Sequence, residues 1–160
     1  MNQFLKTKPF KASYIKIVFC FLSLASASIV HGQDASVYVS PFDMGRTLSN
    51  IYFSIDKNGF TYVNTIKEKS DNFEKDQFKG SIQIVTFETS EVSRLIACEP
   101  TSALEFPLRI IVWEEENDIY LAYINPIFYK RRHFISGCDE VIKDLNKSLI
   151  RVINDAIRSQ

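Results

Sequence analysis

The chain has 160 residues, of which 46% are hydrophobic and 24% are charged. This is the balance of one ordinary globular domain and not of a disordered tail. Its 19 lysines and arginines equal its 19 aspartates and glutamates, so no net positive field attracts nucleic acid and no nucleic-acid partner is expected. Three cysteines are too few for a disulfide-dense mini-protein, and the length suffices for a hydrophobic core.

Residues 1–33 predict a secretory signal peptide. They hold four lysines and no acidic residue, and the apolar run Ile17–Leu24 is followed by small residues. A basic, then apolar, then small-residue order is typical of an export signal. Because the apolar run is short for a membrane span, membrane contact is expected only where this segment stays uncleaved.

Cleavage is predicted after Ala27 or near Gly32, and Cys20 leaves with the leader. Residues 34–160 then form a single domain, which carries 15 basic and 19 acidic residues and has an ordinary domain size. The mature protein is expected to be periplasmic or secreted.

The first elements predicted in the exported part are a strand, a helix and a second strand. The strands are assigned to residues 36–39 and 60–66, the second from its β-branched residues. Between them apolar residues recur at a spacing of three to four, which predicts a helix over residues 41–57. Ser40 is its expected N-cap and Pro41 its first residue.

The middle of the chain predicts shorter elements. A polar loop is expected over residues 67–80, then a strand over residues 81–87 and a short helix capped by Ser90. Pro100 and Pro107 flank a further short helical or turn segment.

Two strongly apolar runs predict the clearest hairpin in the chain. They are Leu108–Trp113 and Ile119–Ile124, and the acidic sequence Glu114–Asp118 lies between them as a solvated turn. After them Ser136 is the expected cap of a C-terminal amphipathic helix. Its apolar stripe comprises Val141, Ile142, Leu145, Leu149, Val152, Ile153 and Ile157.

Together these elements predict an α+β fold. We expect a mainly antiparallel sheet of about five strands, with two long helices packed on one face, in the order β-α-β-β-β-β-α with short extra helices.

Two cysteines stay in the exported part, and export permits a disulfide between them. Cys98 and Cys138 either form one intrachain bridge or are two buried thiols that act as small hydrophobic residues. No CxxC spacing supports a thioredoxin-like role.

The region from Pro100 to His133 resembles the bacterial family known as domain of unknown function 302. The family pattern is P-x-x-A-L-x-x-P-L-[KR]-x-L-V-x-E, a hairpin turn, V-x-Y-x-[ND]-P and a terminal R-H. The matching segments here are PTSALEFPLRIIVWE from Pro100, IYLAYINP from Ile119, and Arg132-His133.

More loosely, the resemblance starts at Val37 and spans nearly the whole exported chain. It implies a small sheet-plus-helix fold, related to the TATA-binding-protein-like or helix-grip arrangement, often dimeric and without an established activity. The chain departs from the family in two places: Phe87-Glu88-Thr89-Ser90 stands where F-G-N-P is common, and Lys67-Glu68 stands where Asp-His is frequent.

His133 is the only histidine beyond the leader region. A metal site of His133 with Cys98, Cys138 and a carboxylate is one interpretation, and a surface or hydrogen-bonded histidine is the other, favoured one. The basic cluster Lys130–His133 either holds an anion or a lipid headgroup or is a solvated segment that balances the acidic turn.

No catalytic motif or nucleophile is identified. The carboxylates of Glu114–Asp118 are expected at a solvated hairpin tip, where no desolvation raises a pKa for acid–base work. Glu114 is the exception to follow, because it comes directly after Trp113 at a strand end, where a sheet edge can be buried.

Aromatic residues crowd the final hairpin and the segment after it. They suit a core, an apolar pocket or a protein interface. The candidate ligand or interface residues are Trp113, Tyr120, Tyr123, Tyr129, Arg132 and His133.

The sequence therefore favours binding over catalysis. The expected function is a non-enzymatic exported module that binds a small apolar or amphipathic ligand between its sheet and its C-terminal helix, or an interaction domain that forms a homodimer. The alternative is a metal- or redox-linked enzyme or sensor that uses Cys98, Cys138 and His133. No cofactor is assigned.

Overall fold

The computed structural model describes residues 34–69 and 80–158. The predicted signal peptide and most of the predicted 67–80 loop lie outside the described residues. The elements in chain order are β1 (Ala35–Ser40), α1 (Met44–Lys57), β2 (Thr61–Lys69), β3 (Ser81–Glu88), α2 (Ser90–Cys98), a 3₁₀ helix (Pro100–Glu105), β4 (Leu108–Glu115), β5 (Asp118–Ile124), α3 (Pro126–Arg132) and α4 (Asp139–Ile157).

One five-stranded sheet has the order β1-β5-β4-β3-β2. Every neighbouring pair is antiparallel, and the α+β prediction is therefore confirmed. β1 and β2 form the two edges, so the chain passes from one edge to the other through α1. Among the described residues, no helix has the length and apolar character that a membrane span requires.

The β4–β5 hairpin has a tighter turn than predicted. Glu114 and Glu115 belong to β4 and Asp118 begins β5, which leaves Glu116 and Asn117 between the strands. Both have positive φ, 54° and 74°, as in the two-residue turns whose twist matches that of the flanking strands.

The start of α1 differs from the prediction of a Ser40 cap with Pro41 as first residue. Asp43 is the N-cap, and its Oδ1 accepts a hydrogen bond from the Arg46 amide at 2.8 Å. The buried Ser40 hydroxyl instead shares a 2.7 Å hydrogen bond with Thr47 Oγ1, so it joins the end of β1 to the helix.

Two other predicted caps are wrong. Ser90 is the first residue of α2, whose N-cap is Thr89, and α4 follows Cys138 and not Ser136. Neither N-cap residue makes a side-chain capping hydrogen bond. The helices form without these caps because their apolar faces pack on the core, which supplies most of the stability of a protein helix.

The core lies between α1, α4 and one face of the sheet. Leu145, Leu149, Val152 and Ile153 of α4 are at most 1% exposed and belong to one cluster with inward residues of the sheet such as Phe87. These side chains fill the space between the sheet and α4, where the sequence analysis expected a ligand.

Candidate binding surface on the open face of the sheet

The sheet face opposite the two long helices carries an apolar row that crosses all five strands. In register, Val37 pairs with Ala122, Ala122 with Ile111, Ile111 with Ile84, and Ile84 with Ile66. Directly opposite residues of antiparallel strands project from the same face. Val37 is 51% exposed and Ile66 is 44% exposed. We call this surface the open face.

A second row on the open face brings two predicted site residues together. Val39 pairs with Tyr120, Tyr120 with Trp113, and Trp113 with Ile82. The Trp113 and Tyr120 rings stack with their centroids 5.2 Å apart, and Trp113 Nε1 donates to Glu115 Oε2 at 3.3 Å. The two aromatic side chains therefore extend the apolar row toward the hairpin end.

Two other predicted site residues belong to the packed interior. Tyr123 projects toward α4, where its hydroxyl donates to Asn146 Oδ1 at 3.3 Å, and Tyr129 packs edge-on against Phe106. Burial is the main cause that raises the pKa of each tyrosine to about 12. For Tyr129, the nearby carboxylate of Glu105 adds to this effect.

At the end of the open face farther from the hairpin turn there is a cavity of about 280 Å³. Ile84, Ile111 and Ala122 are among its apolar lining residues, and its lining also includes Arg109, Glu105 and Tyr129. We call it the Arg109 cavity. An apolar concave site with a small number of polar groups is the common form of a small-molecule site.

Beside this cavity lies a network of polar side chains around Glu105. His133 Nε2 is 2.8 Å from Glu105 Oε1, and the two side chains are 6% and 9% exposed. His133 Nδ1 is 3.1 Å from Thr101 Oγ1, while Arg132 Nε is 3.4 Å from the same Glu105 oxygen. His133 is therefore a hydrogen-bonded histidine that ties the end of α3 to the 3₁₀ helix.

Glu105 and α3 were not predicted from the sequence. The signal for α3 was Asn125-Pro126, since Asn125 Oδ1 accepts from the Ile127 amide at 3.0 Å and Pro126 is the first helical residue. No local pattern marks Glu105 as buried. The one indirect signal for a buried carboxylate was the basic cluster Lys130–His133 downstream, because a buried carboxylate requires a charged or hydrogen-bonding partner.

Cys98 and Cys138 form a disulfide, with their Cα atoms 6.5 Å apart. Of the two alternatives that the sequence left open, the structure contains the bridge. It joins the end of α2 to the residue before α4. Because both sulfurs are bonded to each other, they are not thiolates that could bind a metal beside His133. The described residues hold no cluster of three or more histidine, cysteine or acidic side chains arranged for a metal ion.

The basic cluster of α3 is paired, but not with the acidic turn. Arg131 and Arg132 are exposed, as the solvated interpretation expects, but each base contacts a carboxylate outside the acidic turn. The partners are Asp139 for Lys130, Asp34 for Arg131 and Glu105 for Arg132. The cluster therefore holds neighbouring segments together.

The acidic hairpin end is solvated, as the sequence predicted. Glu114, Glu115, Glu116 and Asp118 are all exposed, so Glu114 is not the buried exception. Glu114 lines a wide cleft of about 570 Å³ between the hairpin and the start of α1. Asp43, which also lines this cleft, is occupied by capping α1.

Comparison with known proteins agrees with this fold. The sequence model of the family described as "Domain of unknown function DUF302" matches residues 36–154. The crystal structure of an uncharacterized conserved DUF302 protein from Bacillus stearothermophilus is similar, with a TM-score of 0.69 and 16% sequence identity. The similarity covers 79% of this chain and 99% of that chain. No curated protein shows a significant sequence match.

Proposed function

Because the chain belongs to the family described as domain of unknown function DUF302, whose description assigns no activity, we propose a function from the surface of the domain itself. We propose that it is a non-enzymatic interaction module and that its open face packs against the open face of a second copy. The observation that carries this proposal is the apolar row across all five strands.

The size of the open face supports a second copy of the chain as the partner. Five strands at about 4.8 Å spacing are about 24 Å wide, and three rows of outward side chains extend about 20 Å along the strands. The projected area is then about 500 Å² on each copy, or about 1,000 Å² for two. A specific protein interface needs about this area, and side chains make the accessible area larger than the projected one.

The chemistry of the open face also favours a second copy. Its central row consists of aliphatic side chains, so it needs no matching pattern of charges from a different protein. Two identical apolar sheet faces can pack about 10 Å apart as in a β-sandwich, and a twofold axis lets the same patch serve both copies. The family resemblance, which implies dimers, agrees with this arrangement.

Sedimentation velocity tests the proposal with two matched substitutions. Val39→Lys places a charge on the open face, whereas Phe53→Lys does so on α1; the native side chains are 55% and 49% exposed, so both variants should fold. We expect the wild type and Phe53→Lys to sediment as dimers and Val39→Lys as a monomer. A monomeric wild type at 0.1–1 mM chain, or an undisturbed Val39→Lys dimer, would refute the proposal.

We also propose that the domain acts outside the cytoplasm. The order of basic, apolar and small residues before Gln33 supports this, and so does the Cys98–Cys138 disulfide, because oxidising compartments preserve such bonds. N-terminal sequencing of the exported protein should find a start directly after Ala27 or near Gly32. A protein that keeps Met1 and stays in the cytoplasm would contradict this proposal.

No observation in the described residues favours the metal- or redox-linked alternative. Its two cysteines are bonded to each other, and the ring nitrogens of His133 contact Glu105 and Thr101.

A further inference from the structure

The Arg109 cavity combines an apolar floor with one exposed cation. Arg109 makes no ion pair within the described residues, whereas the three bases of α3 all do. Its Nη2 donates one long hydrogen bond, 3.4 Å, to the backbone oxygen of Glu105. A guanidinium has five N–H donors in a planar fork, so most of the donors of Arg109 are free to bind a ligand.

The charges around the cavity favour an anion. Glu105 is the carboxylate in its lining, and its Oε1 already contacts His133 and Arg132. The two positive charges of Arg109 and Arg132 thus exceed the one negative charge of Glu105, so the local formal charge is positive even with His133 neutral. The charge of Arg109 also acts on Tyr129, another lining residue, where it opposes the burial that raises the pKa of Tyr129.

We propose that the Arg109 cavity binds a small amphipathic anion. Its carboxylate or phosphate head contacts the Arg109 guanidinium, and its short apolar tail lies against Ile84, Ile111 and Ala122. Since a water molecule occupies about 30 Å³, a cavity of about 280 Å³ has room for about ten non-hydrogen atoms. Octanoate has this size and this chemistry.

The residues that carry this inference come from one chain, but Ile84, Ile111 and Ala122 also belong to the central row that packs in the proposed dimer, so the anion and the second copy compete for this surface. Val39 lies outside the cavity lining, in the row nearer the hairpin turn. The Val39→Lys protein should therefore bind the anion as a monomer, at least as tightly as the wild type, in which a dimer would have to open first. Ligand binding and self-association can thus fail separately.

The test is a titration of the purified protein followed by ¹⁵N–¹H NMR. The probes are octanoate, 1-octanol and octylamine, which share a tail and differ in the charge of the head. We expect octanoate to shift the amides of Ile111, Ala122 and Ile124 in a saturable manner, and to bind at least about tenfold more tightly than 1-octanol. Hexyl phosphate replaces octanoate to decide between a carboxylate and a phosphate head.

Three variants separate the roles of charge and cavity. Arg109→Gln should weaken octanoate binding about tenfold or more, whereas the control Arg151→Gln on α4 should leave it unchanged. Ala122→Met places a larger side chain on the apolar floor of the Arg109 cavity. It should prevent the octanoate tail from binding while Arg109 keeps its charge. The inference is overturned if octanoate and 1-octanol bind equally, if Arg109→Gln binds like the wild type, or if the shifted amides lie away from the cavity.

Discussion

Removing the buried histidine should destabilise the fold more than any single surface change. His133→Ala removes one hydrogen-bond partner of the Glu105 carboxylate, which is 9% exposed, and leaves Arg132 at 3.4 Å, itself 56% exposed. Leaving a buried polar group unsatisfied costs about 1–3 kcal/mol, and more where the group is charged. Because Arg132 still compensates part of the charge, we expect the free energy of unfolding to fall by about 3 kcal/mol.

Urea unfolding at neutral pH measures this free energy. Glu105→Gln keeps a hydrogen-bond acceptor for His133 but removes the charge, so its cost should be smaller, about 1–2 kcal/mol. Lys143→Ala breaks an exposed pair with Glu140 and serves as the control, with a change within about 0.5 kcal/mol. A loss below about 1 kcal/mol for His133→Ala would show that the network does not stabilise the fold.

Three further predictions address stability. Replacing Cys98 and Cys138 together by alanine should lower the free energy of unfolding by about 2–4 kcal/mol, measured in urea; no loss would mean that the bridge does not constrain the unfolded chain. Asp43→Ala should cost about 1 kcal/mol because α1 loses its N-cap, whereas Ser90→Ala, at a residue without a capping role, should cost less. The pKa values of Tyr123 and Tyr129 are raised from 10.0 to about 12. The stability that the two protonated tyrosines contribute is therefore complete below pH 10 and is lost as the pH rises toward 12. An absorbance titration should find both tyrosines ionising last.

The strands and the two long helices could be predicted because their side-chain patterns repeat. An apolar stripe with a period near 3.6 located α1 and α4, and the apolar runs on either side of an acidic turn located β4 and β5. The ends of these elements were predicted less accurately than their positions. Ser40 was a plausible cap by residue type, but it stays at the end of β1 because its hydroxyl bonds to Thr47, a contact that forms only after folding.

The site was less predictable than the fold. Trp113 and Tyr120 were identified as contact residues, yet their residue types do not say whether they face the core or the solvent. The register of β4 against β5 puts them on one face, and the burial of their neighbours Val112 and Leu121 on the other face identifies theirs as the open face. Glu105 and His133 are 28 positions apart, and no local sequence pattern reports a contact across that separation.

The sequence of β4 connects the predicted strand with the proposed contact surface. A strand with one face in water usually alternates apolar and polar residues, whereas a strand covered on both faces is apolar throughout. β4 follows the second pattern at its centre: Ile110 and Val112 face the helices, and Ile111 and Trp113 project from the open face. Arg109, one step before this apolar run, is an outward residue with a charge and lines the cavity. The same strand therefore supplies an aliphatic centre suited to a second copy and, at its start, a cation suited to a small anion.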